Sequence, residues 1–236
     1  MIKSFTFFIL FLFVCGFGYS KPRLYLLSGH GSDERIFSKL NLQKDYDTVY
    51  IKYPIPYKNE TLKDYALRIS WQIDASKPFS LLGVSLGGMI AVELNDILKP
   101  EKVIIISSAA NNNELPMRYD FVSAVELDKI PTANFYKLSA KMAQKVVEHD
   151  REKEAELFNS MLKNKKALFL KRAAHMIVNW NREEAKKKNV YHLHGTNDKT
   201  IPFRNVNADF VIQNGSHMMA LTEADKIAVI IKGILL

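Results

Sequence analysis

Cysteine is almost absent from this chain of 236 residues, in which Cys15 is the only one. A single cysteine cannot form an internal disulfide or a cysteine-based zinc site, so both are excluded. The sequence also lacks internal repeats and low-complexity linkers. Because hydrophobic residues make up 47% of it and charged residues 25%, the composition is that of a globular domain. It excludes disordered, collagen-like and coiled-coil proteins.

Acidic residues are outnumbered, since 33 Lys and Arg stand against 25 Asp and Glu and give a net charge of +8. The excess is local, because residues 151–188 hold eleven Lys and Arg but only five Asp and Glu. The basic residues do not alternate with aromatic ones as in nucleic-acid-binding modules, so we expect no nucleic-acid partner. We interpret this region, including Lys186–Lys188, as solvated helix faces. The alternative is a basic surface that attracts anionic substrates or a membrane.

The first twenty residues have the pattern of an export signal. Lys3 supplies a positive charge, residues 5–15 form an apolar run, and small residues precede a cleavage point before Lys21. Residues 1–20 are therefore predicted to be a signal peptide of an exported protein, periplasmic or secreted. Two alternatives would leave the protein on a membrane: an uncleaved anchor, or a lipid attached to Cys15.

Short apolar runs alternate with amphipathic stretches along the rest of the chain, residues 21–236. The runs predict strands at Arg23–Ser28, Thr48–Tyr53, Phe79–Val84, Lys102–Ser107, Val190–His194 and Asp209–Ile212. Helical spacing of apolar residues predicts helices at Thr61–Ser76, Gly88–Leu98 and Glu223–Leu235. Buried strands separated by helices indicate an α/β fold, with a mostly parallel sheet covered by helices on both faces.

Residues 111–188 interrupt this alternation, because they contain helical patterns but no good strand. The patterns cover Phe135–His149, Glu152–Lys163 and Lys166–Trp180, between the fourth and fifth strands. We predict that they form a small helical cap over the carboxyl edge of the sheet, where open α/β sheets bind ligands. Apolar residues of the cap could line an acyl pocket, although at helical spacing such residues more often belong to the core. The candidates are Phe135, Tyr136, Leu138, Met142, Phe158, Met161, Leu168, Phe169, Met176 and Trp180.

The strongest local motif is Gly83-Val84-Ser85-Leu86-Gly87, which fits G-x-S-x-G between a predicted strand and a predicted helix. A sharp turn there would make the Ser85 hydroxyl project, while Gly83 and Gly87 would let strand and helix pass closely. The helix start would also bring backbone N–H groups near the hydroxyl. Ser85 is therefore the candidate nucleophile.

A serine nucleophile needs a base, and the base needs a carboxylate that orients it. His217 follows the sixth predicted strand and Asp198 follows the fifth, so both emerge at the same sheet edge as Ser85. His149 and His175 fall in predicted cap helices and are weaker candidates. The sequence thus predicts Ser85, Asp198 and His217 as catalytic residues.

These motifs, in the order Ser, Asp, His, resemble those of α/β-hydrolase fold serine hydrolases, and the similarity covers nearly all of Arg23–Leu236. HGTNDKTIP, residues 194–202, resembles the loop that carries the acid in that family. The resemblance implies an esterase-like enzyme that forms an acyl-enzyme on a small-molecule acyl substrate. It implies no cofactor and no metal, and we expect a monomer.

The same family uses two backbone N–H groups as an oxyanion hole. By resemblance one is the N–H of Leu86, and the other belongs to the loop after the first strand. Gly29 to Phe37 fits a G-x-G-x-D-x-R-x-F pattern found in small members of the superfamily, with Gly29 and Gly31 as its glycines. This alignment favours the N–H of His30, and a second alignment would use Ser32. Asp33 and Arg35 are interpreted as a pair that fixes the loop.

Other functions compete with this prediction. His192 and His194 stand two apart on a strand, as two metal ligands could, but no third ligand follows at short spacing. The further alternatives are a non-catalytic binding protein of the same fold and a membrane-surface lipid hydrolase or acyltransferase.

Overall fold

The structure is a computed structural model that describes residues 21–116 and 154–236. The predicted signal peptide, residues 1–20, and the predicted helix Phe135–His149 lie outside the described residues. No helix within the two described ranges is long and apolar enough to cross a membrane.

Six parallel strands form one sheet, in the spatial order β2-β1-β3-β4-β5-β6. They are β1 (Arg23–Leu27), β2 (Asp47–Tyr50), β3 (Phe79–Val84), β4 (Lys102–Ile106), β5 (Val190–Gly195) and β6 (Phe210–Ile212). All six predicted strands are present, and their ends differ from the predicted ones by three residues at most. Because the sheet is parallel throughout, the carboxyl ends of all its strands meet at one edge.

Helices lie between β2 and β3, between β3 and β4, between β4 and β5, and after β6. They are α1 (Leu62–Ile69), α2 (Leu86–Leu98), α3 (Ala155–Asn164), α4 (Ala167–Val178), α5 (Met219–Thr222) and α6 (Ala224–Leu235). The helix predicted at Thr61–Ser76 is shorter, because after Ile69 the chain forms a single 3₁₀ turn, Ser70–Gln72. The side chain of Gln72 bonds both backbone groups of Lys52, and this tie turns the chain out of the helix.

Both faces of the sheet are buried, which explains why its strands are apolar without alternation. On one face Tyr25, Leu27 and their neighbours pack against α1, α2 and α4. On the other face Leu24, Leu26 and their neighbours pack against α5, α6 and the 3₁₀ helix Glu34–Leu40. The predicted α/β fold, with a parallel sheet between layers of helices, is confirmed.

The pair α3–α4 lies over loops that leave the carboxyl ends of β1 and β2. His30 Nε2 is 2.7 Å from the Leu170 carbonyl oxygen, and Arg35 Nη1 donates to Ser160 Oγ at 2.8 Å. These contacts join α3 and α4 to the loop after β1. The helical cap over residues 111–188 stays a prediction, because residues 117–153 are not described.

The basic run Lys186–Lys188 differs from its expected solvated state. Lys186 Nζ is 2.5 Å from Asp209 Oδ2 and donates to the Asn207 carbonyl oxygen at 3.0 Å. Lys187 pairs with Asp96. The expectation of an exposed run is therefore wrong for Lys186, whose side chain is only 14% exposed.

Candidate active site

Ser85 lies in the turn between β3 and α2, at the carboxyl edge of the sheet. Its φ of 52° is in a region that residues with a side chain rarely adopt. Hydrogen bonds hold the turn, because the Ser85 N–H donates to Ile106 O at 3.0 Å and its carbonyl accepts from Ser108 Oγ at 2.7 Å. The strained conformation is therefore fixed from the neighbouring strand β4.

Two glycines make this turn possible. A Cβ on Gly83 would lie 2.3 Å from the Gly87 carbonyl oxygen, and a Cβ on Gly87 would lie 2.0 Å from the Leu27 carbonyl oxygen. Both distances are shorter than any tolerated contact. The motif glycines thus allow α2 to start against the backbone of β3 and β1, and α2 begins at Leu86 rather than at the predicted Gly88.

The structure brings the three predicted catalytic side chains together in one chain of hydrogen bonds. His217 Nε2 is 3.0 Å from Ser85 Oγ, and His217 Nδ1 is 2.8 Å from Asp198 Oδ2. Asp198 accepts only, so Nδ1 carries the proton and Nε2 is left to accept from the serine hydroxyl. This is the tautomer that a general base for Ser85 requires.

Asp198 is buried, yet its surroundings favour the carboxylate. Burial alone would raise the pKa of Asp198, but His217, His194 and the Ile201 N–H outweigh it and leave the pKa below its ordinary value. The N–H groups of Thr200 and Ile201 both donate to Oδ1 at 2.9 Å. Asp198 is therefore held ionised and in a fixed orientation.

The loop after β1 borders Ser85. A Cβ on Gly29 would lie 3.4 Å from Ser85 Cβ, and the turn through His30 and Gly31 is closed by the Ser32 N–H on the Gly29 carbonyl, at 3.3 Å. Leu86 is the first residue of α2, so its backbone N–H has no acceptor within the helix. The choice between His30 and Ser32 as the second oxyanion donor stays a prediction.

Asp33 and Arg35 form the expected loop-fixing pair. Arg35 Nη2 is 2.6 Å from Asp33 Oδ2, and Asp33 Oδ1 accepts from the Arg35 N–H at 3.1 Å. The same aspartate caps the 3₁₀ helix Glu34–Leu40. That interpretation is confirmed.

Aromatic rings lie beside the same loop. The Phe169 ring stacks on Tyr53 at a centroid distance of 6.0 Å and on His30 at 6.5 Å. The Lys165 ammonium is 5.1 Å from the centroid of the Phe169 ring. Tyr53 also donates from its hydroxyl to the Ser28 carbonyl oxygen at 3.0 Å, which ties this cluster to the end of β1.

Burial lowers the pKa of His30 to about 4, and nearby Lys165 acts in the same direction. The ring is therefore neutral at pH 7. Because a carbonyl only accepts, His30 Nε2 carries the proton that bonds Leu170. This bond joins the loop after β1 to α4.

Four of the other candidate acyl-pocket residues belong to the core. Phe158 and Met161 pack in the cluster with α6, whereas Met176 and Trp180 pack with α2. Leu168 is exposed. The remaining candidates, Phe135, Tyr136, Leu138 and Met142, lie outside the described residues.

His192 and His194 are buried and lie on one face of β5, as their spacing predicts. His192 Nε2 bonds His194 Nδ1 at 3.0 Å, so these two nitrogens face each other. Residues 21–116 and 154–236 contain no group of three or more side chains that could hold a metal ion. His194 Nε2 lies 3.3 Å from Asp198 Oδ2, a contact that the sequence did not predict. The signal that could have indicated it is that His194 lies near the end of β5 and Asp198 in the loop that follows.

Ser108 is a second contributor that the sequence did not reveal. Its hydroxyl donates to the Ser85 carbonyl oxygen, and its position two residues after the end of β4, at the carboxyl edge, is the signal that could have identified it.

No known protein family profile and no curated protein sequence matches the chain. Solved structures do resemble it. A hydrolase from Pseudomonas aeruginosa has a TM-score of 0.70 at 13% identity, over 91% of this chain and 90% of its own. An enol-lactonase from Burkholderia xenovorans has a TM-score of 0.69 at 13% identity, over 92% of each chain. A thermophilic esterase from Thermogutta terrifontis has a TM-score of 0.67 at 14% identity, over 92% of this chain and 90% of its own. At such identities the likeness concerns the fold.

Proposed function

The chain has the α/β-hydrolase fold, and from this premise we propose that it is a serine hydrolase. Its substrate would be a carboxylic ester or a similar acyl compound. The observation that carries the proposal is the continuous contact from Ser85 Oγ through His217 to Asp198, at 3.0 and 2.8 Å. The similar structures named as an esterase and an enol-lactonase support the same class of reaction.

In the acylation step Ser85 Oγ attacks the carbonyl carbon of the ester, and its proton passes to His217 Nε2. Asp198 stabilises the charged imidazole and keeps its Nδ1–H in place. The negative charge on the substrate oxygen is stabilised by the backbone N–H of Leu86 and a second N–H, assigned here to His30. The leaving alcohol takes the proton from His217, and an acyl-enzyme remains.

In the deacylation step a water molecule attacks the acyl carbon while His217 Nε2 accepts its proton. The proton then returns to Ser85 Oγ, and the carboxylic acid leaves. The His217 tautomer and the ionised Asp198 suit this cycle, because Nε2 of His217 is unprotonated before each attack and can accept the proton. No cofactor takes part in the proposed steps.

The test is labelling with a fluorophosphonate, combined with turnover of a panel of p-nitrophenyl esters, thioesters and lactones. We expect the probe to modify Ser85, and Ser85→Ala to lose both labelling and turnover down to the uncatalysed rate. Ser70→Ala is the matched control, because Ser70 follows the end of α1, where its hydroxyl donates to the Leu67 carbonyl oxygen at 2.8 Å. Folding of both variants is checked by circular dichroism.

Full turnover in Ser85→Ala would overturn the proposal. A folded parent protein that neither labels nor turns over any substrate would instead favour a non-catalytic binding protein of this fold.

A further inference from the structure

Beyond Asp198, the polar chain continues into the interior of the protein. His194 Nε2 lies 2.9 Å from the Ile201 carbonyl oxygen and 3.3 Å from Asp198 Oδ2. His194 Nδ1 lies 3.0 Å from His192 Nε2. Both rings are fully buried. The Ser85–His217–Asp198 contacts therefore end on a pair of interior histidines rather than on solvent or apolar side chains.

The hydrogen-bond partners determine where the protons lie. Both oxygens near His194 Nε2 only accept, so this nitrogen carries a proton. Burial lowers the pKa of His194 and, more strongly, that of His192, so both rings are neutral. His194 Nδ1 is then an acceptor, and His192 Nε2 must donate to it. The Nε2–H of His194, the positive end of its dipole, thus lies beside Asp198, and the Nε2–H of His192 is directed towards His194 Nδ1.

We propose that His194 is a positioning residue that keeps Asp198 ionised and oriented towards His217, and that His192 fixes the His194 tautomer that this requires. Asp198 Oδ2 is hydrogen-bonded by His217 Nδ1 at 2.8 Å, and His194 Nε2 lies 3.3 Å from the same oxygen while its N–H bonds the Ile201 carbonyl oxygen. The positive end of the His194 N–H dipole therefore acts on the carboxylate through electrostatic attraction and partly offsets its charge. The consequence for turnover rests on the proposed function, whereas the proton positions do not.

The other charged groups around this pair support a neutral state. Glu114 Oε2 is 3.8 Å from His192 Nδ1, beyond hydrogen-bond distance, and burial raises the pKa of Glu114. The Asp209 carboxylate accepts a hydrogen bond from the backbone N–H of His192 at 2.7 Å. The same carboxylate forms an ion pair with Lys186. From the other side, His194 is faced by Asp198 and His217.

The sign of the effect follows from the dipole direction. The His194 N–H opposes the negative charge of Asp198 and so makes protonation of the Asp198–His217 pair harder. Its removal should shift the titration of His217 to higher pH. A role confined to packing would change stability or rate at all pH values alike and would leave that midpoint unchanged.

The experiment is an NMR titration of protein labelled with ¹⁵N-histidine. In the parent protein we expect His192 and His194 to be neutral with the proton on Nε2 at pH 7. We expect His194→Leu to raise the His217 midpoint by roughly half a pH unit to one unit. His194→Gln keeps a donor and an acceptor and should restore most of the parent value. His192→Leu should give a smaller shift of the same sign, and His175→Gln on α4 none.

Two results would overturn the proposal. One is a His194 that carries its proton on Nδ1 or is charged at pH 7 in the parent, a measurement that needs no variant to fold. The other is an unchanged His217 midpoint in a folded His194→Leu or His192→Leu. Neither result depends on turnover. If the proposed hydrolase function failed, Ser85 would remain unlabelled while these midpoints could still shift as expected.

Discussion

Ser85 lies between two regions that are built in different ways. On its acid–base side, defined as Asp198, His217, His194 and His192, polar groups lie 2.8 to 3.3 Å from one another. On its aromatic side, defined as His30, Tyr53, Phe169 and Lys165, contacts are mostly between rings. The first region comes from two strand ends, whereas the second joins loops after β1 and β2 to α4, which follows far later in the chain.

In the proposed reaction the acid–base side and the aromatic side have different tasks. Directed hydrogen bonds fix proton positions, which every substrate of one reaction class needs in the same arrangement. Ring contacts depend on shape and area and can vary with the substrate. We therefore expect changes on the acid–base side to alter kcat, and changes on the aromatic side to alter KM and stability.

The largest effect should follow from Asp198→Asn. The amide would donate to His217 or leave its Nδ1–H without a charged acceptor, so the wrong tautomer would form. We expect kcat for a p-nitrophenyl ester to fall about 10⁴-fold with the fold retained. Steady-state kinetics and circular dichroism measure this, with the exposed helix residue in Asp225→Asn as control. A loss below tenfold would contradict the assignment of Asp198.

The second effect concerns the turn that both sides share. Gly87→Ala places a methyl group 2.0 Å from the Leu27 carbonyl oxygen, so backbone must move. We expect the free energy of unfolding to fall by at least about 2 kcal/mol, measured by urea denaturation. Gly233→Ala is the matched control on α6, where nothing lies within 4 Å, and should gain roughly 0.5–1 kcal/mol. Equal effects of the two variants would argue against the close approach.

The third effect is a pH dependence on the aromatic side. The unfolded chain protonates His30 near pH 6.5, whereas the folded protein resists protonation until about pH 4. Stability from this residue is therefore complete above pH 6.5 and is lost as the pH falls towards 4. His30→Leu should reduce the loss between pH 7 and 4 by about 2–3 kcal/mol in urea titrations. A His30→Leu variant that loses as much stability as the parent protein between pH 7 and 4 would refute the expectation.

The smallest effect should come from charge on the aromatic side. Lys165→Gln removes a cation whose ammonium lies beside Phe169 and His30. We expect KM for an ester with a carboxylate in its acyl part to rise about three- to tenfold, and KM for a neutral ester to change little. Lys188→Gln is the exposed control. Equal changes for both esters would mean that the cation does not face the substrate.

Much of the fold could be predicted, because its signals are local. Strands such as Phe79–Val84 are nearly uninterrupted apolar runs. Such runs are typical of strands buried on both faces, as in a parallel sheet covered by helices. The motif at Ser85 was recognisable because the turn requires glycines at 83 and 87, so that the whole signal lies within five residues. Helix ends were less predictable, and α1 stops early because of Gln72 contacts with Lys52, which is distant in sequence.

The candidate site was predictable only in part for the same reason. Asp198 and His217 could be identified because each directly follows a strand. The bond between His30 and Leu170 spans 140 positions, and no local pattern indicates it. The ion pair of Lys186 with Asp209 likewise forms only when β6 lies beside β5, which is why the run appeared solvated in the sequence.

The sequence by itself determined the kind of fold, the position of the Ser85 turn and the order Ser, Asp, His along the chain. These features follow from residue types and short spacings, which do not depend on contacts between distant parts of the chain. Tertiary structure alone decided which nitrogen of His217 carries the proton, that Asp198 is buried yet ionised, and that His194 and His192 stand behind it. The physical reason is that proton positions depend on the acceptors within hydrogen-bond reach, and only the folded sheet brings those acceptors together.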